Sequence, residues 1–407
     1  MRLTRLWSAW VAAAAFSVVA LTLATTAWAG PKYKVLHAFG AGKDGAGLYG
    51  GLVFDQQGNL YGGSSGGGDY GYGTVFQLSP GGNGAWTERV LRSFRNNDPD
   101  GDEINGSLTV DAVGRLYGAT TFGGGSYTYG TVFQMTPQAH RWAFRVIHRF
   151  GRNDKADDPF GGVIMDAAGN LYGVGGCAFE LSPGDGGWKE TVLHQFTGQN
   201  GDGSGAYAGL IMDAAGNLYG QTEHGGTSKN CGGGCGTVYQ LQRTSGGWKE
   251  HILHDFDTGG DNMAFPVGAL LLDKTGDLYG TAGGGTYAHG AVYKLTRLAS
   301  GHWKTAIQYS FKGGANGDGP GGGVVMDKAG NLYGTTVGGG TGCGCGVVYK
   351  LAPGTKGKWK YTVLHSFSGY DGAQPAAQLV LDRKGNLYGT TITGGAGGYG
   401  VAFELTP

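Results

Sequence analysis

Charge is scarce in this chain. Only 15% of its 407 residues are Asp, Glu, Lys or Arg, and 30 basic side chains balance 30 acidic ones. That leaves none of the electrostatic footprint expected of a nucleic-acid binder or of a protein held on an anionic membrane. Beyond the N-terminal segment there is no second apolar run of spanning length. No nucleophile elbow, metal-ligand motif or catalytic carboxylate pair can be picked out. Glycine, by contrast, is abundant at 87 residues, a content that would suggest low complexity if it were aperiodic. Here the glycines return at fixed places beside Leu, Val, Phe, Tyr and Trp, so they read as turns of a packed β protein.

The first 29 residues read as a targeting segment. Arg2 and Arg5 supply a positive start, Leu6–Ala24 is mostly apolar, and Ala27-Trp28-Ala29 offers a cleavage site before Gly30. An uncleaved membrane anchor is the alternative, because the apolar run is close to spanning length. Cleavage is the expectation, since small residues stand where a peptidase needs them. No cysteine follows the site, so a lipoprotein anchor is not expected, and no C-terminal anchor signal is seen. The expected mature form is an exported, soluble monomer, periplasmic or secreted, made of one domain over 30–407.

Five cysteines in an exported chain invite disulfides. Cys231 and Cys235 flank three glycines and are the candidate pair. Cys343 and Cys345 are one residue apart, where a bond would be strained, and Cys177 is left over. No histidine or second pair stands at zinc-ligand spacing, so stapling of glycine-rich loops is the expectation.

The repeat dominates everything else. D-x-x-G-N-L-Y-G or a close variant occurs seven times, its leading aspartates being Asp55, Asp111, Asp166, Asp213, Asp273, Asp327 and Asp382. The copy at Asp111 carries Arg115 where the others have Asn or Asp. In the sixth copy, Val324–Met326 is an apolar run expected to be a strand buried on both faces. Asp327–Gly330 is a tight turn, Asn331–Thr336 a second strand, Gly346–Leu351 a third, and Trp359–Phe367 a fourth. Four short strands, seven times over, predict an all-β seven-bladed β-propeller with four antiparallel strands per blade. The repeated Tyr and the Trp that opens strand four are the expected fillers between blades.

The phase of the chain sharpens this. Tyr33–Phe39, YKVLHAF, matches the strand-four sequence YTVLHSF, whereas the C-terminal Val401–Leu405 matches strand three. The N-terminal strand 33–39 is therefore expected to complete the last blade and close the ring.

The run D-x-x-G-N-L-Y-G-T-T, then G-G, then G-T-V-F-x-L-T/S-P, then W and L-H-x-F, resembles the GloVer tandem-repeat proteins over nearly the whole mature chain. More distantly, D-x-x-G-N-L-Y is similar to NHL-type propeller repeats. The resemblance implies an exported propeller and brings no catalytic residues to carry over.

In this order the strand two-to-three and strand four-to-one loops share one face, the natural place for function. Just before strand three stand Tyr72, Tyr129, His289 and Tyr399, with Tyr70, Tyr127 and Tyr287 two residues earlier. These rings are candidates for stacking on sugars, with Asp202 and Asp318 accepting hydroxyl hydrogen bonds; padding of blade junctions is the competing reading. Every four-to-one loop carries at least one aspartate. Asp98, Asp100 and Asp102 resemble the start of a calcium loop, so calcium is the one cofactor considered, against turn chemistry alone. His37, His148, His194, His254 and His365 recur in L-H-x-F; a ring holds them too far apart for a joint metal site, so they are read as structural. Glu223 and His224 are the one neighbouring acid–base pair of interest.

Three functions follow: binding of an extracellular glycan or protein, an extracellular propeller enzyme of lyase or hydrolase type, or an envelope scaffold. Near-equal repeats favour binding. The sectors that depart from the repeat are the short loop around Gly175–Cys177 and the long Glu223–Cys235 loop.

Overall fold

The computed structural model describes residues 30–40, 42–95, 100–123, 129–151 and 158–407, and Asp98 and Tyr127 lie outside these. Residues 31–407 form one compact unit, whose described residues build seven antiparallel blade sheets on four strands each, with Gly203–Ser204 and His224–Gly225 pairing as a separate short ribbon. In the first blade the strands run Val53–Phe54, Leu60–Ser64, Thr74–Pro80 and Trp86–Ser93 from inside to outside. The last blade has Val380–Leu381, Leu387–Thr390 and Val401–Thr406, and its outer strand is the N-terminal Lys32–Ala38. Lys32 pairs with Thr406 and Ala38 with Val401, so the ring closes as the phase of the chain predicts. Among the described residues no helix is long and apolar enough to cross a membrane.

The repeat motif is a hydrogen-bonded unit. Asp327 Oδ1 accepts from the backbone of Ala329 and Asn331, while Oδ2 accepts from the Asn331 amide at 2.7 Å and the Tyr333 hydroxyl at 2.9 Å. One carboxylate thus fixes the turn and the tyrosine that follows it. Burial raises the Asp327 carboxyl, but the donors outweigh it and hold it below the usual carboxylate range. Where Asn is replaced, the unit is rebuilt: Arg115 pairs with Asp111 at 2.5 Å, and Asp277 gains Lys294 at 2.6 Å. These aspartates are turn residues on the face away from the variable loops, as read from the sequence.

The glycine of Leu-Tyr-Gly makes room for a ring. It pairs across strands with Phe76, Phe133, Phe179, Tyr239, Tyr293, Tyr349 or Phe403. A β-carbon on Gly62 would lie 2.5 Å from the Phe76 ring, and one on Gly334 2.4 Å from the Tyr349 hydroxyl oxygen. Each ring is fully buried. Between blades, the motif tyrosine meets the strand-four tryptophan of the next blade: Tyr61 with Trp142, Tyr117 with Trp188, Tyr172 with Trp248, and Tyr388 with Trp86. The N-terminal strand has Pro31 at this place; two residues on, Tyr33 stacks on His365 with ring centroids 3.8 Å apart, as Tyr361 stacks on Tyr309 at 4.3 Å one junction earlier. Seven apolar clusters result, one at each junction.

The innermost strands correct one expectation. They are not buried on both faces: Val325–Met326 and Val53–Phe54 are half-buried, whereas the preceding Val324 and Leu52 are buried. An innermost strand has a neighbour on one edge only, and its other edge lines the channel. Both local cysteine pairs are bonded, Cys231–Cys235 as predicted and also Cys343–Cys345, whose Cα atoms are 5.3 Å apart, within the range a disulfide spans. Cys177 is buried at the start of its strand.

Three of the seven cross-strand rings are tyrosines, and their hydroxyls differ. Tyr293 donates to Gln221 Oε1 at 2.6 Å, while Tyr239 and Tyr349 bury a hydroxyl without a partner. Burial raises all three phenol pKa values. Tyr349→Phe should therefore leave thermal stability unchanged or raise it by up to ~1 kcal/mol, whereas Tyr293→Phe orphans the buried Gln221 carbonyl and should cost ~1–3 kcal/mol. Denaturant midpoints of the two variants check the sign of each.

Candidate functional site

Where the four-to-one loops meet the channel, a cavity of about 500 Å³ opens on the variable-loop face. It is built by a repeated stretch just before each inner strand, Tyr49-Gly50-Gly51-Leu52 in the first blade. The last residue of the stretch is core. The two before it are small in nearly every blade because neighbouring backbones touch there. A β-carbon on Gly50 would lie 2.5 Å from Gly106 O, and one on Gly106 2.1 Å from Gly162 N. On the far side, one on Gly268 would lie 2.2 Å from Gly323 N and one on Gly322 2.5 Å from Gln378 N. Side chains of strand two lock this throat: Gln221 donates to Gly268 O at 2.5 Å, Thr281 to Gly322 O at 3.1 Å and Thr390 to Gly50 O at 3.2 Å.

The first residue of the stretch points the repeat's variation at the cavity. Around the ring this position is Tyr49, Asn105, Phe160, Tyr207, Val267, Gly321 and Ala376, all lining the cavity. The wall is lopsided. Tyr49, Phe160 and Tyr207 remain 41%, 36% and 51% exposed although they ring a cavity, and Phe160 meets Tyr207 edge-on at 5.9 Å. Opposite them, Gly321 and Ala376 leave the wall low. The polar side chains are Glu223, the amides of Asn105, Gln221 and Gln378, and the hydroxyls of Ser107 and Thr109, beside those of the tyrosines. Glu223 and His224 do not form a tight acid–base pair, their nearest atoms being 4.0 Å apart.

Of the residues singled out from the sequence, Glu223 lines this cavity, whereas none of the described candidate rings or loop aspartates does. Tyr70, Tyr72, Tyr287 and Tyr399 are exposed. Tyr70 hydrogen-bonds Arg95 and lies under its guanidinium, and Tyr287 lies 5.7 Å from the Lys312 ammonium. His289 holds Asp318 at 3.0 Å, and Tyr129 packs on the core between the second and third blades. The backbone of this loop position also receives the next blade, through Glu103 N to Tyr72 O and Gly319 N to His289 O.

The recurring histidines and loop aspartates find each other. His37 meets Asp44 at 3.1 Å, His194 Asp202 at 3.1 Å, His254 Asp261 at 2.6 Å and His365 Asp371 at 2.9 Å. In the first blade Arg92 stands in for His and pairs with Asp100. Each pair ties the outer strand to the loop that follows it, which agrees with a structural role for the histidines. Asp100 and Asp102 are buried; burial, with the nearby Glu103 charge, raises the Asp102 carboxyl. Asp202 behaves oppositely: burial raises it, but Thr197 and His194 outweigh that and lower it.

The sequence signal for the cavity was present in the four-to-one loops. Aromatic, amide and glycine alternate at one aligned position while its neighbours stay small.

Residues 17–176 and 281–407 match the model of the Gloeobacter/Verrucomicrobia repeat. No match is found among curated proteins. Among solved structures, the chain is similar to the extracellular domain of a protein described as a putative hybrid two-component system of B. thetaiotaomicron, with 14% identity and a TM-score of 0.58. That match covers 93% of this chain and 42% of the other. A Thermus thermophilus protein described as a putative oxidoreductase (glucose dehydrogenase) matches at 13% identity, TM-score 0.46, over 93% and 100% of the two chains. PorZ, a bacterial surface component of the type-IX secretion system of Porphyromonas gingivalis, matches at 13% identity, TM-score 0.41, over 83% and 44%. The chain thus spans less than half of two of these proteins.

Proposed function

For this chain, which belongs to the Gloeobacter/Verrucomicrobia repeat family, we propose the role of an exported binding propeller that takes a carbohydrate at the channel mouth. The observation that carries this reading is three exposed rings, Tyr49 of the first blade and the touching pair Phe160 and Tyr207 of the third and fourth, lining a cavity whose remaining wall is low, with Val267, Gly321 and Ala376 at the same position. Aromatic faces stack on the apolar faces of sugar rings, and an exposed ring in a concavity is available to do so. Glu223 and Asn105 would accept and donate hydroxyl hydrogen bonds, and the sparse charge suits a neutral ligand. Export rests on residues 1–29.

The test is a glycan array followed by calorimetry on the parent and on Tyr49→Ala and Tyr207→Ala. Both side chains are exposed, so folding should be spared. Each substitution should weaken binding about tenfold, or ~1.4 kcal/mol. Absence of binding to every glycan at millimolar concentration, or equal affinity in all three proteins, rejects the reading.

A further inference from the structure

At one junction the His–Asp pair acquires a third member. His194 ends the outer strand Gly187–Gln195 of the third blade, Asp202 lies in the loop after it, and Glu250 comes from the outer strand Gly247–Asp255 of the fourth. Among the described residues this is the single place where three metal-capable side chains gather, their ligand atoms all within 4.8 Å of one another. We propose that His194, Asp202 and Glu250 form a binding site for a divalent transition-metal ion, with Zn²⁺ as its natural probe.

The geometry gives the reason. Asp202 Oδ1 stands 3.1 Å and Glu250 Oε2 3.4 Å from the same atom, His194 Nε2. That nitrogen has one proton to donate or one lone pair, so it can satisfy one of the two carboxylates well and not both. An ion bound at ~2.0–2.2 Å by imidazole and carboxylate in a tetrahedron sets its donors ~3.4 Å apart. Two of the three edges are already close to that length. The ion would also neutralise two carboxylates that face each other in a half-buried site, where Glu250 Oε1 is buried without a partner.

The surroundings fit a ligand shell. Asp202 keeps its second oxygen on Thr197, accepting from the backbone amide at 2.6 Å and the hydroxyl at 2.7 Å. That leaves Oδ1 directed at the site and fixes the carboxylate as outer-shell partners do. The three side chains are 22%, 13% and 15% exposed, enough for an ion and a fourth, solvent ligand to enter. Among the described residues, no other junction gathers three ligand atoms so closely: His37, Asp44 and Glu88 hold the equivalent positions where the last blade meets the first, but the three do not come within 4.8 Å of one another. Arg92 replaces His and lies over Phe144, and His365 is covered by Tyr33. A mixed nitrogen–oxygen set selects a borderline ion such as Zn²⁺ over Ca²⁺, which takes six or more oxygens.

Tag-free protein, stripped with a chelator, is titrated with Zn²⁺ by calorimetry, and with Co²⁺ while the visible spectrum of four-coordinate cobalt is followed. The expected result is one stoichiometric site, a raised Tm, and a four-coordinate cobalt spectrum. Glu250→Gln keeps the shape but removes a ligand, and should weaken Zn²⁺ at least 100-fold; His194→Gln should do the same. Glu190→Gln alters the neighbouring junction, where His148 and Glu190 meet at 3.1 Å, and should leave binding unchanged. Absence of a stoichiometric site in the parent overturns the proposal, as does equal Zn²⁺ affinity in Glu250→Gln. So does loss of binding in Glu190→Gln.

Discussion

A protein beginning at Gly40 instead of Gly30 should lose its cooperative melt or melt at least ~10 °C lower. The deleted segment carries Leu36, 8% exposed, and Phe39, fully buried. Both belong to the cluster between the last blade and the first, while Tyr33, Val35 and Ala38 pack on the cluster between the sixth and the last. One strand therefore seals two junctions. Burying Leu36 and Phe39 alone contributes ~3–6 kcal/mol, a large share of the ~5–15 kcal/mol that separates a folded domain from its unfolded chain. Deletion also bares the edge of Val401–Thr406, an unpaired strand open to pairing with another chain. Adding a peptide of residues 30–40 should restore the melting temperature. An unchanged melt of the shortened protein would mean that the ring holds without its closing strand.

Gly106→Val should be the most damaging single substitution at the cavity. Its β-carbon would lie 2.1 Å from Gly162 N and 2.5 Å from Gly161 C, and backbone cannot swing aside as a side-chain tip can. The two blades must part, which strains the whole ring through the backbone contacts that run from Gly50 to Gly209. Overpacking of a core costs ~1–3 kcal/mol, and more where the neighbour is rigid, so a loss of about 3 kcal/mol or more is expected. Gly114→Val, in an exposed turn with positive φ (+83°) and its nearest neighbour 3.9 Å away, separates conformational strain from overpacking. It should cost ~1–2 kcal/mol, and the Gly106 variant more. Urea unfolding of both variants measures the difference, and equal midpoints would refute the throat argument.

Much of the architecture was legible in the chain because repetition multiplies a weak local signal. A single D-x-x-G-N-L-Y turn says little; seven, each followed by two strand patterns, leave few alternatives to a ring. The phase was legible too, since YKVLHAF and YTVLHSF are the same strand. What escaped was convergence. The rings of Tyr72 and Tyr399 look as available in sequence as Tyr49 and Tyr207, yet they stand outside the cavity. Their loop position is taken up by contact with the next blade, as the bond from Glu103 N to Tyr72 O shows. The recurring histidines were correctly kept apart by the ring, but nothing local to His194 signals that Glu250, one blade on, reaches it. A period of roughly one blade hides the contacts made between blades, because they join residues tens of positions apart or, at the closing junctions, opposite ends of the chain.

From the sequence alone came the number of blades, their strand order, the turn chemistry and the closing strand. Each depends on interactions within a few residues or on a close copy elsewhere in the chain. Tertiary structure decided which variable residues share a site. Backbones touching at the throat direct Tyr49, Phe160 and Tyr207 to one cavity, and the stacking of the third blade on the fourth brings Glu250 to His194 and Asp202. Those meetings depend on the angle and spacing at which blades pack, and no local pattern in the chain encodes either.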